Sequence, residues 1–530
     1  MEEKFQWNFP YPSRRMPVLA KNIVSTSQPL ACQAGLSILR KGGNAIDAAI
    51  ATAITLTVVE PVNNGLGSDA FSIIWDGKKL VGLNASGRSP AAWTVEHFSN
   101  KISMPMFGWD SVTIPGAVSA WVELSRKYGL LNFKELFEPA INYAEKGFLV
   151  SPITAEVWKI LVKMYKKKKF PEFHKSFLPK DRPPYPGELF SNPSQAKTLK
   201  LIAESDGQEF YKGELARKIV NHSNNTGGLI SMDDLANHEA NWVDLISIDY
   251  HNINLHEIPP NGQGLAALIA LGILEKLDIT KYESDSPESL HLQIEAMKLA
   301  FSDAYHYFSD SKTQEFDSLL LLKSDYLSQR AELINENKAQ TYNYGIPKQG
   351  DTVYLTTADE NGMMVSFIQS NYMGFGSGIV IPGTGISLQN RGNGFSLIDG
   401  HPNQVGPNKR PYHTIIPAFV TKNNQPLMSF GVMGGSMQPQ GHVQMITRIF
   451  DYNQNPQAAI DAPRWRVMQG MKVNFEPEFN IKLLKNLAEK GHETLTGHYF
   501  EFGGAQIIYK LEDGYLAASD PRKDGQAVGF

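Results

Sequence analysis

The first strong pattern runs from residue 29 to residue 60, where apolar positions recur at helical spacing on both sides of Gly42-Gly43-Asn44. The glycines predict the end of one helix, and Asn44 predicts the cap of the next. Alanines at 45, 48, 49, 51 and 53 predict that this second helix packs closely against its neighbours. The turn Gly65-Leu66-Gly67-Ser68-Asp69 then leads into an apolar strand over residues 70–75. A nucleotide-binding loop follows a strand and opens a helix, so a glycine turn that precedes a strand does not fit one. Residues 115–340 read mainly as helices. Leu290, Ile294, Met297 and Phe301, for example, share one face of a helix predicted over residues 289–308.

From Lys338 to Lys348 the periodicity stops, and a polar, exposed connection is predicted up to Gly350-Asp351. The clearest hairpin follows: a strand from Thr352 to Thr357, a turn at Asp359-Glu360-Asn361-Gly362, and a return strand over residues 363–370. A second strand pair is predicted beyond it, with close-approach glycines in residues 374–382. Residues 417–421 and 427–432 are predicted to continue the same sheet.

Composition narrows the classes. A length of 530 residues, 42% hydrophobic and 20% charged, fits two to four domains or one large two-layer domain. With 54 acidic and 50 basic residues the net charge is -4, which gives no field to draw nucleic acid or an anionic membrane. The run Lys166-Lys167-Lys168-Lys169 is expected to be a solvated helix face. Cys32 is the single cysteine, so no internal disulfide and no thiolate cluster can form, and it reads as a small buried residue. Residues 1–19 lack the apolar core of a signal peptide, and residues 48–59 are too short to span a bilayer, so a cytoplasmic location is expected. Thirteen histidines include no HExxH pair, and no acidic run has calcium-loop spacing. No metal and no cofactor are therefore expected.

A threonine hydroxyl attacks an amide only when a base takes its proton, and the smallest arrangement that supplies one is a threonine whose own α-amino group is free. That amine titrates near pH ~8, so a useful fraction is unprotonated at neutrality. Asp351-Thr352, where the polar connection meets the first strand of the hairpin, is a candidate for such a cut. A threonine that opens a hairpin is equally an ordinary strand residue.

The wider sequence resembles the gamma-glutamyltransferase (glutathione hydrolase) family from about residue 20 to about residue 525. Early matches are Gly42-Gly43-Asn44-Ala45-Ile46-Asp47-Ala48-Ala49, Pro115-Gly116-Ala117-Val118, Gly227-Gly228-Leu229-Ile230, Pro259-Pro260-Asn261-Gly262 and Glu295-Ala296-Met297-Lys298. Later ones are Phe375-Gly376-Ser377-Gly378, Gly406-Pro407-Asn408-Lys409-Arg410-Pro411, Gly434-Gly435 and Asp461-Ala462-Pro463-Arg464. Their order and spacing carry the resemblance.

What it implies is an α/β (α+β) fold: the four-layer αββα sandwich of the N-terminal-nucleophile hydrolases. It implies a precursor cut into a large fragment, residues 1–351, and a small one, residues 352–530, that stay associated as one catalytic domain. Thr352 is then the nucleophile that first attacks the Asp351 carbonyl and later the substrate amide, passing the acyl group to water or an amine acceptor. Ser370 is implied to orient that hydroxyl, and the amides of Gly434 and Gly435 to hold the oxyanion.

Arg88, in Gly87-Arg88-Ser89-Pro90, matches the arginine that clamps the acyl carboxylate, although Ser89 stands where the family usually has glutamate. The family's paired serines align with His413 and Thr414, so one hydroxyl is kept, and His413 reads equally as a structural histidine. The subsite for the substrate ammonium, which the family builds from asparagine, glutamine and aspartate, aligns with Tyr372, Arg391 and Gly394. An ammonium there meets a cation instead of a counter-charge, at a cost of at least ~1 kcal/mol.

The expected activity is hydrolysis or transfer of gamma-glutamyl groups from glutathione and related small amides. One alternative is a glutaryl-type (cephalosporin) acylase with relaxed amino-group recognition; another, of a different class, is an inactive binding protein on the same fold. Residues 395–408 are fewer than in members with a lid, which implies an open cleft.

Overall fold

Side chains along a strand leave on opposite faces in turn, and the strand that begins at Asp351 shows what this does here. Val353 and Leu355 join an apolar core shared with helices, while Tyr354, between them, joins Phe71, Ile368, Phe419, Met433 and Ile508 in a second core. The second core lies between two stacked sheets. The computed structural model describes residues 14–313, 316–342 and 351–530. Most of the predicted connection up to Gly350, and the amino-terminal segment before Arg14, lie outside the described residues.

In chain order the strands of the two large sheets are β1 (Val18–Ala20), β2 (Ile23–Thr26), β3 (Asp69–Trp75), β4 (Leu80–Asn84), β5 (Asn241–Val243), β6 (Ile246–Tyr250) and β7 (Ile253–Glu257). The hairpin supplies β8 (Asp351–Ala358) and β9 (Met364–Tyr372), followed by β10 (Ala418–Lys422), β11 (Gln425–Met433), β12 (Gly504–Lys510), β13 (Tyr515–Ser519) and β14 (Gln526–Gly529). Among the described residues, one seven-stranded sheet has the order β14-β2-β8-β9-β3-β4-β5 and the facing one the order β1-β13-β12-β11-β10-β7-β6. All their pairings are antiparallel.

Helices cover both outer faces. Helices α1 (Pro29–Arg40) and α2 (Ala45–Val59) lie on the first sheet, against β2 and β8. Asn44 caps α2 as predicted: its Oδ1 accepts the Asp47 amide at 3.0 Å while the Asp47 carboxylate accepts the Asn44 amide at 3.1 Å. Every residue of α2 is buried, because further helices close over its outer side. On the second sheet lie α3 (Gly264–Leu274) and, after β11, α5 (Met437–Ile446), with α4 (Pro287–Tyr307) packed along α3. This is the αββα sandwich.

Four details depart from the sequence reading. Residues 374–382 do not form a strand pair. Gly374, Gly376 and Gly378 sit at φ of 52°, 82° and 79°, which no strand can propagate, and a single bridge joins Val380 to Ser387. Residues 418–433 build the facing sheet rather than continuing that of the hairpin. Lys166 to Lys169 are exposed as expected but lie on a turn, not a helix. Strands β5 to β7 interrupt a region read as mainly helical; their alternation, as in Ile246-Ser247-Ile248-Asp249-Tyr250, is too short to stand out from one turn of helix. No helix among the described residues is long and apolar enough to cross a membrane.

Candidate active site

Thr352 is the second residue of β8 and stands opposite a bulge in β9, where Ser370 and Asn371 face it. Asp351 pairs with Tyr372 and Val353 with Gln369, so the register slips by one residue at Thr352. Bulges re-aim side chains beside many active sites. Here the Thr352 hydroxyl lies 3.3 Å from the Ser370 hydroxyl and 3.2 Å from the Gln438 side-chain amide, which donates to it. Thr352 is only 1% exposed. The Ser370 hydroxyl accepts the Tyr372 amide at 2.7 Å, and the Gln438 carbonyl oxygen accepts the Ile416 amide at 2.8 Å. Both neighbours of the threonine are thereby fixed.

Gln438 comes from the first turn of α5, and the tight turn Gly434-Gly435 joins that helix to β11. Gly434 sits at φ 115° and Gly435 at φ 60°, and a Cβ on Gly434 would meet the Gly503 backbone at 3.1 Å. Their carbonyl oxygens accept the amides of Met437 and Gln438, and the Gly435 carbonyl also accepts the Gln263 side chain at 2.9 Å. Among the described residues neither glycine donates its amide hydrogen to an acceptor. Two unoccupied backbone donors at a helix entrance are what an oxyanion requires.

A cleft of about 750 Å³ meets this group at Tyr372, and its walls also include Tyr305, Gly394, Phe395, Tyr412 and Thr414. Tyr372 holds φ 77°, a conformation that side chains rarely adopt. Its ring lies 4.8 Å from the Arg391 guanidinium, which donates to the Thr414 hydroxyl at 2.7 Å. Arg391 is 1% exposed, and among the described residues its Nε and Nη2 have no hydrogen-bond partner. Burial pulls its pKa down to about 10, against the opposing pull of Asp69. Asp69 is itself buried and pushed up to about 7, although Arg391 and the amides of Gly87 and Gly116 hold it down.

The structure brings Thr352, Ser370, Gly434, Gly435, Tyr372, Arg391 and Thr414 into one region. It does not bring Arg88 or His413 to the cleft. Arg88 Nη1 is 2.5 Å from Asp310 and also donates to the Asn408 carbonyl, and the side chain lines a separate cavity of about 320 Å³ with Asp234, Asn237, His238 and Arg410. In this structure one nitrogen of Arg88 is thus used by Asp310, while Nη2 is buried without a hydrogen-bond partner among the described residues. His413 is fully buried, bonded to Asp69 at 3.0 Å and packed on Phe71, and burial holds it well below the usual histidine range, hence neutral. It shapes the wall from behind. Gln438, Gln263, Asp69 and Asp310 were not singled out in the sequence, because nothing near them in the chain marks them.

One buried group, His291, Glu295 and His492, places metal-ligand atoms within 4.8 Å of one another. His291 and His492 are bonded to each other at 2.8 Å, and Glu295 is bonded to Lys298 at 2.6 Å and to Tyr342 at 3.0 Å. These atoms are used in packing α4, and a lysine against the carboxylate opposes a cation.

The four-layer sandwich is the architecture of the N-terminal-nucleophile hydrolases. Within that class the chain belongs to the gamma-glutamyltranspeptidase family, which matches residues 31–530. It is therefore an enzyme of amide hydrolysis and acyl transfer. The glutathione hydrolase-like YwrD proenzyme of Bacillus subtilis (strain 168) is 38% identical over 523 residues, covering 96% of this chain and 98% of that protein. The oxamate amidohydrolase proenzyme of Klebsiella pneumoniae is 34% identical over 94% of this chain and 97% of its own length. Among solved structures, a cephalosporin acylase from Bacillus halodurans superposes with a TM-score of 0.95 at 47% identity, over 100% of this chain and 99% of that one.

Proposed function

We propose that the protein cuts its own chain before Thr352 and then acts as a threonine amidohydrolase on gamma-glutamyl and closely related acyl amides. The observation that carries this reading is the Thr352 hydroxyl, held between Ser370 and Gln438 at the head of a central strand. In the precursor that hydroxyl attacks the Asp351 carbonyl carbon, the acyl group moves from nitrogen to oxygen, and water releases residue 351 as a carboxylate. The freed amine of Thr352 then takes the proton from the same hydroxyl as it attacks the substrate amide. The carbonyl oxygen gains its negative charge facing the amides of Gly434 and Gly435, and the leaving amine takes the proton as the ester forms. Water, or an acceptor amine, attacks the ester and restores Thr352.

The large and small fragments, residues 1–351 and 352–530, remain together in this reading. The likeness to a glutathione hydrolase-like proenzyme supports gamma-glutamyl amides as substrates. A second reading, acyl groups that carry a carboxylate but no ammonium, is favoured by one observation: a cation, Arg391, stands where an ammonium would need an anion. The masses of purified wild type and Thr352→Ala under denaturing conditions test the central step. Two pieces from the wild type, the smaller beginning at Thr352, with an uncut mutant are expected. An uncut wild type that is folded and turns over no amide overturns the reading.

A further inference from the structure

Burying a charge is costly unless an opposite charge or a full set of hydrogen bonds meets it. The guanidinium of Arg391 feels the field of Asp69 but has no carboxylate oxygen bonded to it, and its set of hydrogen bonds is incomplete. One nitrogen is bonded to the Thr414 hydroxyl, while Nε and Nη2 are buried without a partner. Three guanidinium groups, Arg88, Arg391 and Arg410, share the region with two buried carboxylates, Asp69 and Asp310. Asp310 is taken by Arg88 and by the Arg410 amide, and Asp69 spends its oxygens on His413 and the amides of Gly87 and Gly116. His413, being neutral, adds nothing. None of these carboxylate oxygens is bonded to Arg391, which meets Asp69 through its field alone.

Two residues of the cleft wall, Thr414 and Tyr372, touch that guanidinium. Tyr372 also follows Ser370 by two residues and gives its amide to the Ser370 hydroxyl, so the cation is one side chain removed from the group that touches Thr352. Its unusual φ of 77° turns the ring over the guanidinium.

We propose that Arg391, screened by Tyr372 and assisted by the Thr414 hydroxyl, is the specificity-determining residue that anchors a carboxylate on the substrate's acyl group. A planar guanidinium with two unused donors suits a carboxylate better than any other anion-bearing end of a short acyl chain. The substrate class is then the half-amide of a short dicarboxylic acid. An α-ammonium on that acid is not read, because the group that receives the acyl end is cationic. The inference rests on the amidohydrolase activity proposed above and narrows it.

The test compares kcat/KM for three 4-nitroanilides: glutaryl, gamma-glutamyl and the uncharged pentanoyl. Wild type is expected to favour glutaryl over pentanoyl by on the order of 30-fold or more, mainly through KM, and to use glutaryl at least as well as gamma-glutamyl. Arg391→Gln is expected to lose that preference, read as the glutaryl to pentanoyl ratio on one sample, and Arg391→Lys to keep part of it. In Arg88→Gln the glutaryl to pentanoyl ratio is expected to stay as in wild type.

A wild type indifferent to the carboxylate overturns the proposal, even if every variant misfolds. So does a more than tenfold preference for gamma-glutamyl over glutaryl, or a preference abolished by Arg88→Gln and kept in Arg391→Gln. Self-cleavage into two fragments, read on the same samples, separates the failures. A cut, active enzyme without the preference removes the anchor alone, whereas an uncut protein that hydrolyses none of the anilides removes the activity and the anchor together.

Discussion

At the scale of single residues, Gln438 joins two parts of the site: its carbonyl oxygen holds the Ile416 amide and its nitrogen holds the Thr352 hydroxyl. Gln438→Met keeps the volume and removes both bonds. It is expected to cost about 1–3 kcal/mol of stability, from the orphaned Ile416 amide, and to lower kcat by roughly tenfold. Urea unfolding and steady-state kinetics read the two effects separately. An unchanged kcat at reduced stability would assign Gln438 to packing alone. The sequence did not disclose this residue, since a glutamine near a helix start has no local signature and its partner is 86 positions away. Thr352 stood out as a candidate because the polar connection before it suits the chain break that the proposed chemistry needs. For Arg88 the sequence did not disclose its partner Asp310, 222 positions further on.

At the scale of elements, the segment after β13 carries a testable charge. Asp520 accepts Arg464 at 2.6 Å, the Ala505 amide at 2.7 Å and Arg522 at 3.2 Å. Burial pushes its pKa up, but the two arginines and the amides outweigh this and hold it down to about 2, below the ordinary 3.8. The native state therefore binds fewer protons than the unfolded chain between those values. The stabilisation is fully present above about pH 4 and is lost as pH falls towards 2. Asp520→Asn is expected to lose about 3–5 kcal/mol at pH 6, because it leaves buried guanidinium groups uncompensated, and the gap to wild type should narrow below pH 4. Urea midpoints across that range check it, and a gap independent of pH would exclude titration of Asp520 as the cause.

Elements with strong local signals were read correctly, as at α2, where Asn44 and Asp47 form a complete capping box. Asn44→Ala should cost about 1 kcal/mol, measured by the same unfolding. Elements defined by partners were not. Strands β5 to β7 are short and gain their identity from the sheets, and the glycines of residues 374–382 signalled close approach without saying that their dihedrals forbid a strand.

At the scale of the molecule, the sheet order β2-β8-β9-β3 places the hairpin of the second part between strands of the first. In the proposed mature enzyme the two fragments therefore share both large sheets. They are expected to co-elute in native size-exclusion chromatography, to part only in denaturant, and to unfold in one transition. Separate elution without denaturant would contradict this. The number of layers and the interleaving came from the resemblance; periodicity alone distinguished helix-rich from strand-rich stretches and left open which strands are neighbours.

That interleaving also sets a timetable. The hydroxyl of Thr352 meets Ser370 across β8 and β9, and Gln438 only when the second sheet and α5 have closed over them, so the scissor is assembled last. A chain stalled with one sheet unformed keeps its peptide bond, and a cut chain certifies that both sheets were built. Self-cleavage as proposed would thus work as an inspection of the finished fold. Halves made as separate polypeptides, each lacking central strands of the same sheet, would expose open β edges instead of waiting for a partner.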